Sequence, residues 1–496
     1  MKKSRPFKAT LTLDKNTYRD QVYACWVGKN IGGTMGTPYE GRRDVLDIKG
    51  FATEAGAPCP NDDLDLQLVW LHGVEWMGAQ AINAATLGEL WVSLVDPHWN
   101  EYGIGKNNLR RGLTPPLSGD YQNDWQHSNG AWIRTEIWSC LAPGCPDLAA
   151  KYAREDAMVD HGSGEGTVAA AFVAAMQAAA FVVKDLKKCI EIALAVIPEE
   201  TRTADSIRFA LQCYEQGMAP SDARNAVQQR NADIGNGWFE APSNVAYTII
   251  GLLWGEGDFK KSMITAINCG DDTDCTGATV GATLGILYGT KGIPSDWKEH
   301  IGDEIVTVSI DRSDYRTGRS VPENCTELTN RVVKQAPAFL IVNDSYMSIG
   351  EQDIIPEDIA DLLTIACNKY REKTCVTPNT THHTSPLLSA EVTLEGGADI
   401  AALEEKNITV KITCNRGFSD QSYNLNLRWW LHDGFSELQG RRSAILINES
   451  THSNAITTLT YKLKAGEHID SVNRCVLEIT AEGHIIPLYI PVLLLG

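Results

Sequence analysis

The spacing of apolar residues changes once along this 496-residue chain, and this change constrains the fold more than any other feature. From about residue 17 to 300, apolar residues recur three and four positions apart, in segments such as Thr17–Ile31, Asp63–Trp76 and Thr276–Tyr288. This spacing places them on one face of a helix. The same segments contain many Ala and Gly residues, which let helices pack closely. The sequence therefore predicts an all-α bundle for this region.

Beyond residue 388 the spacing of apolar residues becomes two, which is typical of strands that bury one face. Turn-forming residues separate the runs, and their number and spacing predict an antiparallel, immunoglobulin-like β-sandwich. The predicted runs are Ala390–Leu394, Ile408–Cys414, Tyr423–Trp430, Ala444–Ile447, Ile456–Leu463, Arg474–Thr480 and Ile485–Leu494. The expected fold class is thus a multi-domain chain, with a large helical domain followed by a small all-β domain.

We expect the helical domain to occupy residues 1–375, a linker 376–387 and the β-sandwich 388–496. The linker is predicted because residues 376–386 are polar and flanked by proline. A further helix is expected from Asp353 to Lys373. The region 303–350 contains the strand-like pieces Ile305–Ile310 and Phe339–Val342 between loops, so its structure is the least defined part of this assignment.

The charge and the cysteine content exclude some classes of protein. Acidic residues outnumber basic residues by 63 to 44, which gives a formal net charge of -19. Nucleic acids and anionic membrane surfaces require an excess of Lys and Arg, so we expect neither as a partner. The 13 cysteines include no CxxC pair, and no apolar leader follows Met1. The expected location is therefore a reducing cytoplasm.

One uncharged segment, residues 166–183, is long enough to raise the question of a membrane span. It consists mainly of alanine and also contains Thr167 and Gln177. Alanine favours membrane insertion much less than leucine or phenylalanine does. The segment therefore predicts a closely packed helix in the core of the protein.

Two clusters of aspartate residues are candidates for chemistry. The first, Asn61-Asp62-Asp63, begins an apolar helix, where one acidic residue commonly caps the helix and interacts with its dipole. A third acid follows at Asp65, and capping does not require it. Capping and metal binding both remain open for this cluster taken alone.

The second cluster holds Asp271, Asp272 and Asp274, ahead of a helix rich in Gly and Ala. Three acids within four residues repel one another unless a cation neutralises them, and carboxylates favour Mg²⁺, Mn²⁺ or Ca²⁺. An EF-hand is excluded, because its bidentate Glu would fall on Thr283. The run from Asp272 to Thr276 also fits the D-x-D-x-T pattern of phosphatases. Those enzymes place it after a buried strand, whereas a helical segment precedes it here.

Both clusters are explained together by a resemblance to the ADP-ribosylglycohydrolase family, of the dinitrogenase-reductase-activating type. The resemblance extends over roughly residues 17 to 300, and four blocks carry it in the order of the family. Besides the two aspartate clusters, these blocks are the Gly-rich segment 25–41 and the pair Asn129–Arg134 and His161–Gly166. The Gly-rich segment ends in Pro-Tyr-Glu-Gly, which is similar to the opening helix and turn of the family.

The resemblance implies an all-α domain with a dinuclear magnesium site at the base of a cleft, with Mn²⁺ as the alternative ion. The metal ligands that it implies are Asn61, Asp62, Asp63, Asp272, Asp274 and Cys275, with Thr276 as a substitute for Cys275. It implies catalytic roles for Asp62, Asp63 and Glu40, and substrate contacts for Asn129, Gly130, His161 and Gly162. For His161, a structural hydrogen bond at a helix boundary is the alternative. The implied reaction is hydrolysis of a glycosidic bond at the ribose of an ADP-ribosyl or related ribosyl group.

Two positions depart from the pattern of this family. The Thr that precedes the first aspartate pair is Asn61 here, and the last Thr ligand falls on Cys275, whose sulfur suits Mg²⁺ poorly. Thr276 is adjacent, but on a helix its side chain points about 100° away. Asp65 and Asp271 are further acids that would serve as replacements.

Other functions remain open at this point. The same fold and metals would serve hydrolysis of another nucleoside-like or sugar conjugate, and a non-catalytic, crystallin-like protein is a further alternative, as is the phosphatase. Retention of all four aspartates argues against loss of the metals.

In the β domain, the side chains of Trp429 and Trp430 point to opposite faces of a strand. Packing is the default role of this pair, and a protein or carbohydrate partner is the alternative.

Overall fold

The computed structural model describes residues 11–314, 320–374, 379–415, 422–438, 442–446 and 455–496. The chain divides into two compact units, 1–374 and 375–496, and each unit has its own apolar core. The first unit is helical and the second is built from antiparallel β-strands, so the predicted fold class is confirmed at this level. The immunoglobulin-like type of the sandwich and the predicted domain bounds stay predictions.

The helical unit contains seventeen α-helices in the part of the chain that the structure describes. They are α1 (Lys15–Gly36), α2 (Asp62–Met77), α3 (Ala84–Leu94), α4 (Asn100–Arg110), α5 (Leu117–Asp120), α6 (Glu136–Leu141), α7 (Pro146–Ala157), α8 (Glu165–Ala180), α9 (Leu186–Leu194), α10 (Arg202–Glu215), α11 (Pro220–Arg230), α12 (Ala241–Gly255), α13 (Phe259–Ile267), α14 (Thr273–Tyr288), α15 (Ser295–Ile301), α16 (Cys325–Val342) and α17 (Ile359–Thr374). Two short strands, β1 (Leu11–Asp14) and β2 (Met347–Gly350), pair in parallel.

Helices α1 and α14 pack against each other with their backbones in direct contact. A Cβ atom placed on Gly28 would overlap the carbonyl group of Gly281, and one placed on Gly32 would overlap that of Gly277. Glycine is therefore required where these helices approach each other. The hydroxyl group of Thr273 also donates a hydrogen bond to the carbonyl oxygen of Gly36, at 2.8 Å. These contacts hold the first turn of α14 beside the last turn of α1.

Helix α8 is the closely packed alanine helix that the uncharged segment predicts. Its residues from Gly166 to Ala180 are all buried in the core of the helical unit. The packing is close because alanine side chains let neighbouring helices approach. Among the described residues, none of the helices combines the length and the apolar character that crossing a membrane requires.

The two strand-like pieces predicted within 303–350 are not strands. Residues 339–342 form the last turn of α16, because a short apolar run does not distinguish a helix from a strand. Residues 305–310 form a loop, which is held by Asp65 of α2. The Oδ2 atom of Asp65 accepts a hydrogen bond from the backbone N–H of Ser309, at 2.6 Å. Asp65 thus has a structural role, and the metal binding considered for it stays a prediction.

The β unit forms two antiparallel sheets whose apolar residues share one core. Its strands are β3 (Thr380–Thr384), β4 (Leu388–Leu394), β5 (Glu405–Cys414), β6 (Tyr423–Trp430), β7 (Ser436–Glu437), β8 (Ser443–Leu446), β9 (Ile456–Lys464), β10 (Val472–Ala481) and β11 (Leu488–Leu495). One sheet has the strand order β3-β4-β5-β9-β7, and the other has the order β11-β10-β6-β8. In β6, Trp429 packs against the core while Trp430 is 48% exposed.

Part of the predicted linker is a strand in the structure. Strand β3 lies within it and pairs with β4 in antiparallel register, with His383 opposite Ala390. A polar sequence is compatible with this position, since β3 is an edge strand with one neighbour. The first linker residues, 376–378, lie outside the described residues, as does Ile447 at the end of a predicted strand.

Candidate active site

A cleft of about 330 Å³ in the helical unit brings most of the predicted site residues together. The predicted residues that line it are Glu40, Asp62, Asn129, Gly130, Asp272, Asp274 and Cys275. They come from parts of the chain more than two hundred residues apart, which the packing of α1 and α14 and the start of α2 make neighbours. The cleft is therefore our candidate active site.

Two overlapping groups of side chains in this cleft could hold metal ions. Glu40, Asp272 and Asp274 form one group, and Asp63, Asp274 and Cys275 form the other. Within each group, the candidate ligand atoms all lie within 4.8 Å of one another. Asp274 belongs to both groups, so the two candidate positions share its carboxylate. The structure thus offers an all-oxygen position and a position that includes a thiol.

The loop that carries Glu40 is fixed to the loop that precedes α14. The backbone N–H of Gly41 donates a hydrogen bond to the carbonyl oxygen of Asp271, at 2.8 Å. The backbone N–H of Asp271 donates in turn to the carbonyl oxygen of Arg42, at 2.6 Å. This pairing keeps Glu40 beside Asp272. The side chain of Asp271 points elsewhere, since it accepts hydrogen bonds from Phe239 and Asn244.

Helix α2 begins with a side-chain cap that positions the first aspartate pair. The Oδ1 atom of Asn61 accepts a hydrogen bond from the backbone N–H of Asp63, at 2.7 Å. Asn61 therefore acts as the N-cap of α2 in this structure, and its predicted role as a metal ligand stays a prediction. The neighbouring Asp62 lines the cleft and accepts a hydrogen bond from the phenol of Tyr102, at 2.8 Å.

Asn129 connects the second aspartate cluster to the opposite wall of the cleft. Its Nδ2 atom donates a hydrogen bond to Oδ2 of Asp272, at 2.7 Å, and its Oδ1 atom accepts one from the indole N–H of Trp132, at 2.9 Å. Because both ends of the amide are bonded, its orientation is fixed. Asn129 thus orients the carboxylate of Asp272.

Several carboxylate oxygens of the cluster are buried without a hydrogen-bond partner. Among the described atoms, these are both oxygens of Asp63 and the Oδ1 atoms of Asp272 and Asp274. Their side chains are between 0% and 6% exposed. Buried polar atoms in folded proteins nearly always have a partner. Unpaired carboxylate oxygens in a buried cluster are the donors that a divalent cation requires, so the residues present fit a metal site.

The proton affinities of these carboxyl groups show how strongly their charges are crowded. Although Glu40 is exposed to solvent in the cleft, partial burial of its carboxyl and the charges of Asp274 and Asp62 raise its pKa to about 8. Burial raises the pKa of Asp274 to about 6. For Asp63 and Asp272, burial raises the pKa well above the ordinary value. A bound cation would favour the ionised forms of all these groups.

A buried lysine, which the sequence analysis missed, lies next to the acidic cluster. The Nζ atom of Lys29 is 3.1 Å from Glu136 Oε2 and 3.8 Å from Asp63 Oδ1. Burial opposes the charge of Lys29, but these two carboxylates outweigh it and raise the lysine pKa. The amides of Gln67 and Gln177 hold Glu136 from either side, each at 2.9 Å. The sequence signal was a lysine inside a helix of small and apolar residues.

Arg134 fixes the loop that carries Asn129 and Gly130. Its guanidinium donates to the carbonyl oxygen of Gly130 at 2.6 Å, to Asp156 at 2.9 Å and to Asp160 at 2.7 Å. All three charged groups are fully buried. Two carboxylates thus contact a single guanidinium, and the ion pair with Asp156 connects the loop to α7. Arg134 lies in one of the blocks that carry the family resemblance, yet no role was predicted for it.

His161 and Gly162 do not line the cleft, although substrate contacts were predicted for both. His161 is fully buried, and its Nε2 atom lies 3.0 Å from the hydroxyl of Ser128, which does line the cleft. Its Nδ1 atom lies 2.9 Å from Asp160. Gly162 has a φ of 52° and packs against Asp120. In this structure, His161 therefore supports the cleft wall through Ser128, and Gly162 packs against a residue that does not line the cleft.

The predicted substitute for Cys275 is not placed among the acids. The hydroxyl of Thr276 donates a hydrogen bond to the carbonyl oxygen of Thr273, at 3.2 Å, within α14. Cys275 itself lines the cleft and groups with Asp63 and Asp274. The structure therefore favours the cysteine over the threonine as the side chain next to the metal position.

Aromatic side chains form much of the remaining wall of the cleft. They are Trp99, Tyr102, Trp125 and Phe239. Tyr102 lies on α4, which was not predicted because this helix contains two glycines and few apolar residues. The only sequence signal for this wall was a pair of aromatic residues in an otherwise polar stretch. Aromatic rings suit the flat faces of a sugar or a base.

Comparison with known proteins shows to which family the chain is similar. The model of the family described as ADP-ribosylglycohydrolase matches residues 14–330. ADP-ribosylarginine hydrolase Tri1 from Pseudomonas putida (strain GB-1) is 37% identical over 49 residues. That match covers 10% of this chain and 13% of the relative, so it extends over only a small part of either protein.

Two solved structures are also similar to parts of the chain. One, described as an ADP-ribosylglycohydrolase-related protein complex, is 20% identical, with a TM-score of 0.42, over 65% of this chain and 99% of its own. The other, a FixG-related protein from Vibrio parahaemolyticus, is 13% identical, with a TM-score of 0.18, over 23% of this chain and 98% of its own. Because the family model spans more than half of the sequence, this protein belongs to the ADP-ribosylglycohydrolase family.

Proposed function

We propose that this protein is a Mg²⁺-dependent hydrolase that cleaves the glycosidic bond at the ribose of an ADP-ribosyl group, with Mn²⁺ as the alternative ion. The observation that carries the proposal is the buried cluster of carboxylates with unpaired oxygens at the cleft. Family membership supports the ADP-ribosyl group as the substrate. The name of the Pseudomonas putida relative makes ADP-ribosylated arginine the first substrate to test.

The carboxylates of the two clusters would hold the ions. They are Asp62, Asp63, Asp272 and Asp274, and Glu40 lies beside them. When bound, Mg²⁺ lowers the pKa of a coordinated water and binds sugar hydroxyls. Asn129 and Tyr102 contribute by orienting carboxylates, since each donates a hydrogen bond to an aspartate of the cluster. Fixed ligands keep their geometry during the reaction, and this preorganisation favours catalysis.

Glu40 is our candidate for the general base. It is exposed to the cleft, whereas Asp63, Asp272 and Asp274 are buried. A water molecule beside the anomeric carbon can therefore reach the Glu40 carboxylate, which would accept its proton as the glycosidic bond breaks. The aromatic wall at Trp99 would exclude bulk water from one side of the sugar.

The proposal is tested by following the release of ADP-ribose from an ADP-ribosylated arginine peptide. We expect hydrolysis with Mg²⁺, none after EDTA, and recovery when Mg²⁺ is restored. Asp272→Ala should abolish this activity while the circular dichroism spectrum is unchanged. Asp296→Ala is the matched control, because this aspartate lies on the exposed surface of α15. Hydrolysis by Asp272→Ala at the wild-type rate would show that the site is assigned wrongly.

A second candidate keeps the site and changes the substrate. The thiol of Cys275 within the ligand group favours hydrolysis of another nucleoside-like or sugar conjugate, because a changed metal position changes how the sugar hydroxyls are held. A panel of ribosyl conjugates, assayed with the same metal controls, distinguishes the two substrate classes.

For the β unit, we propose a protein or carbohydrate partner, with which the exposed side chain of Trp430 is compatible.

A further inference from the structure

We propose that Asp63, Asp274 and Cys275 form a position that selects a thiophilic divalent ion such as Zn²⁺. The neighbouring all-oxygen position, at Asp272 and Asp274 beside Glu40, would keep Mg²⁺. The protein would then use two different ions side by side. This inference rests on the proposed function only in taking the acidic cluster to be a metal site.

The geometry of the mixed position is that of a ligand group. The thiol of Cys275 and the carboxylates of Asp63 and Asp274 present atoms within 4.8 Å of one another, and all three residues are at least nine-tenths buried. Both oxygens of Asp63 lack a hydrogen-bond partner among the described atoms. A bound ion would satisfy these oxygens together with the sulfur, whereas a buried structural cysteine ordinarily lies among apolar groups.

The chemistry of the donors decides which ion this position prefers. Mg²⁺ requires oxygen ligands in near-octahedral geometry and binds sulfur poorly. Zn²⁺ and Co²⁺ accept thiolate and carboxylate ligands together in tetrahedral sites. On binding, the metal–sulfur bond replaces the S–H bond, and the thiol proton is released to solvent. The all-oxygen position has no sulfur, so it keeps the preference for Mg²⁺.

Lys29 lies beside one of the two positions. Its ammonium group lies 3.8 Å from Oδ1 of Asp63, which belongs only to the mixed position. The same ammonium group lies 3.1 Å from Glu136, which largely balances its charge, so the ion preference of the mixed position rests on the thiol. In the part of the chain that the structure describes, Glu40 and Asp272 form no ion pair with a lysine or arginine.

Cobalt provides a direct probe, because a thiolate bound to Co²⁺ gives a charge-transfer band in the near ultraviolet. We would titrate Co²⁺ into the reduced, metal-free, full-length protein in the presence of excess Mg²⁺. The expected result is a band that saturates at a single ion per chain and that Zn²⁺ removes. Cys275→Ser should abolish the band and lower Co²⁺ affinity by at least about tenfold, the loss seen even for groups that only support a ligand.

Cys269→Ser is the matched control, because Cys269 is also buried and near the start of α14 but bonds the carbonyl oxygen of Thr265. This variant should keep the band. If Cys275→Ser does not fold, X-ray absorption at the zinc edge of the wild-type protein decides instead. A sulfur ligand at about 2.3 Å supports the inference, and a shell of oxygen and nitrogen alone overturns it.

The outcomes separate this inference from the proposed function. A band that is absent, that persists in Cys275→Ser, or that excess Mg²⁺ removes overturns the inference. Hydrolysis of an ADP-ribosyl substrate is measured on the same samples. Hydrolysis without the band leaves the proposed function intact and rejects the mixed position. The band without hydrolysis supports the mixed position and counts against the proposed function.

Discussion

At the scale of single residues, Asn129 is the side chain that fixes Asp272 in the cleft. Asn129→Ala removes this donor, so we expect metal affinity to fall by about 10–100-fold, as is usual for groups that orient a ligand. Isothermal titration with Mn²⁺ measures the change. Asn107→Ala is the control, because Asn107 is exposed on α4. Equal affinities for both variants would contradict the assigned role of Asn129.

Lys29 supplies the second prediction at this scale. Lys29→Met leaves the carboxylates of Glu136 and Asp63 buried without their cation, and the loss of one partner from such a group costs about 3–5 kcal/mol. Urea unfolding of the metal-free protein should show this decrease in the free energy of unfolding. The double variant Lys29→Met/Glu136→Gln should recover part of it. A decrease no larger than that of a typical surface substitution would argue against the buried network.

Sequence reasoning located the acids of the site but not the groups that hold them. Asp272 and Asp274 were found because crowded charges require an external cation. Lys29 and Arg134 were missed, since each is neutralised by carboxylates that lie far away in the sequence or on another helix. Pairs of this kind follow from packing, which local patterns do not encode. The predicted roles of His161 and Gly162 followed from the family blocks alone.

At the scale of elements, the contact between α1 and α14 determines whether the site forms. Gly32→Val would place two methyl groups against the backbone of Gly277 and separate the helices. We expect a loss of stability of about 1–3 kcal/mol or more, together with loss of metal binding. Thermal unfolding and metal titration measure both. Gly50→Val is the control, because a Cβ placed there meets no atom within 4 Å apart from its chain neighbours.

Metal binding by Gly32→Val at the wild-type affinity would show that the close approach of these helices is not needed.

Elements with long apolar faces, such as α2 and α14, were predicted close to their observed bounds, since burial of those faces determines the structure. Helix α4 and strand β3 were not predicted. Both are polar, and they form because neighbouring elements supply their partners.

At the scale of the whole molecule, the separate cores of the two units lead to a further prediction. A chain that ends at Thr374 contains the entire helical core and every residue of the cleft. We therefore expect it to fold cooperatively and to hydrolyse ADP-ribosyl substrates at the rate of the full chain. Calorimetry and a hydrolysis assay test this. An aggregated or inactive product would show that residues 375–496 are required for the helical unit.

The fold class was predictable at this scale because the spacing of apolar residues reports which faces are buried. The polar strand β3 was predicted as linker because an edge strand needs no apolar face, and it pairs with β4 through its backbone. The structure of residues 305–310 could not be predicted for a related reason. Their loop is fixed by Asp65, whose contact with Ser309 joins distant parts of the sequence.

We propose that the acidic cluster binds ADP-ribose through a divalent metal. Isothermal titration of ADP-ribose into the full-length protein, with excess Mg²⁺ and again with EDTA, tests it most directly. We expect binding with Mg²⁺ that is lost with EDTA and lost in Asp272→Ala. Binding of equal strength with and without the metal, or no binding by protein shown separately to hold Mg²⁺, would contradict it.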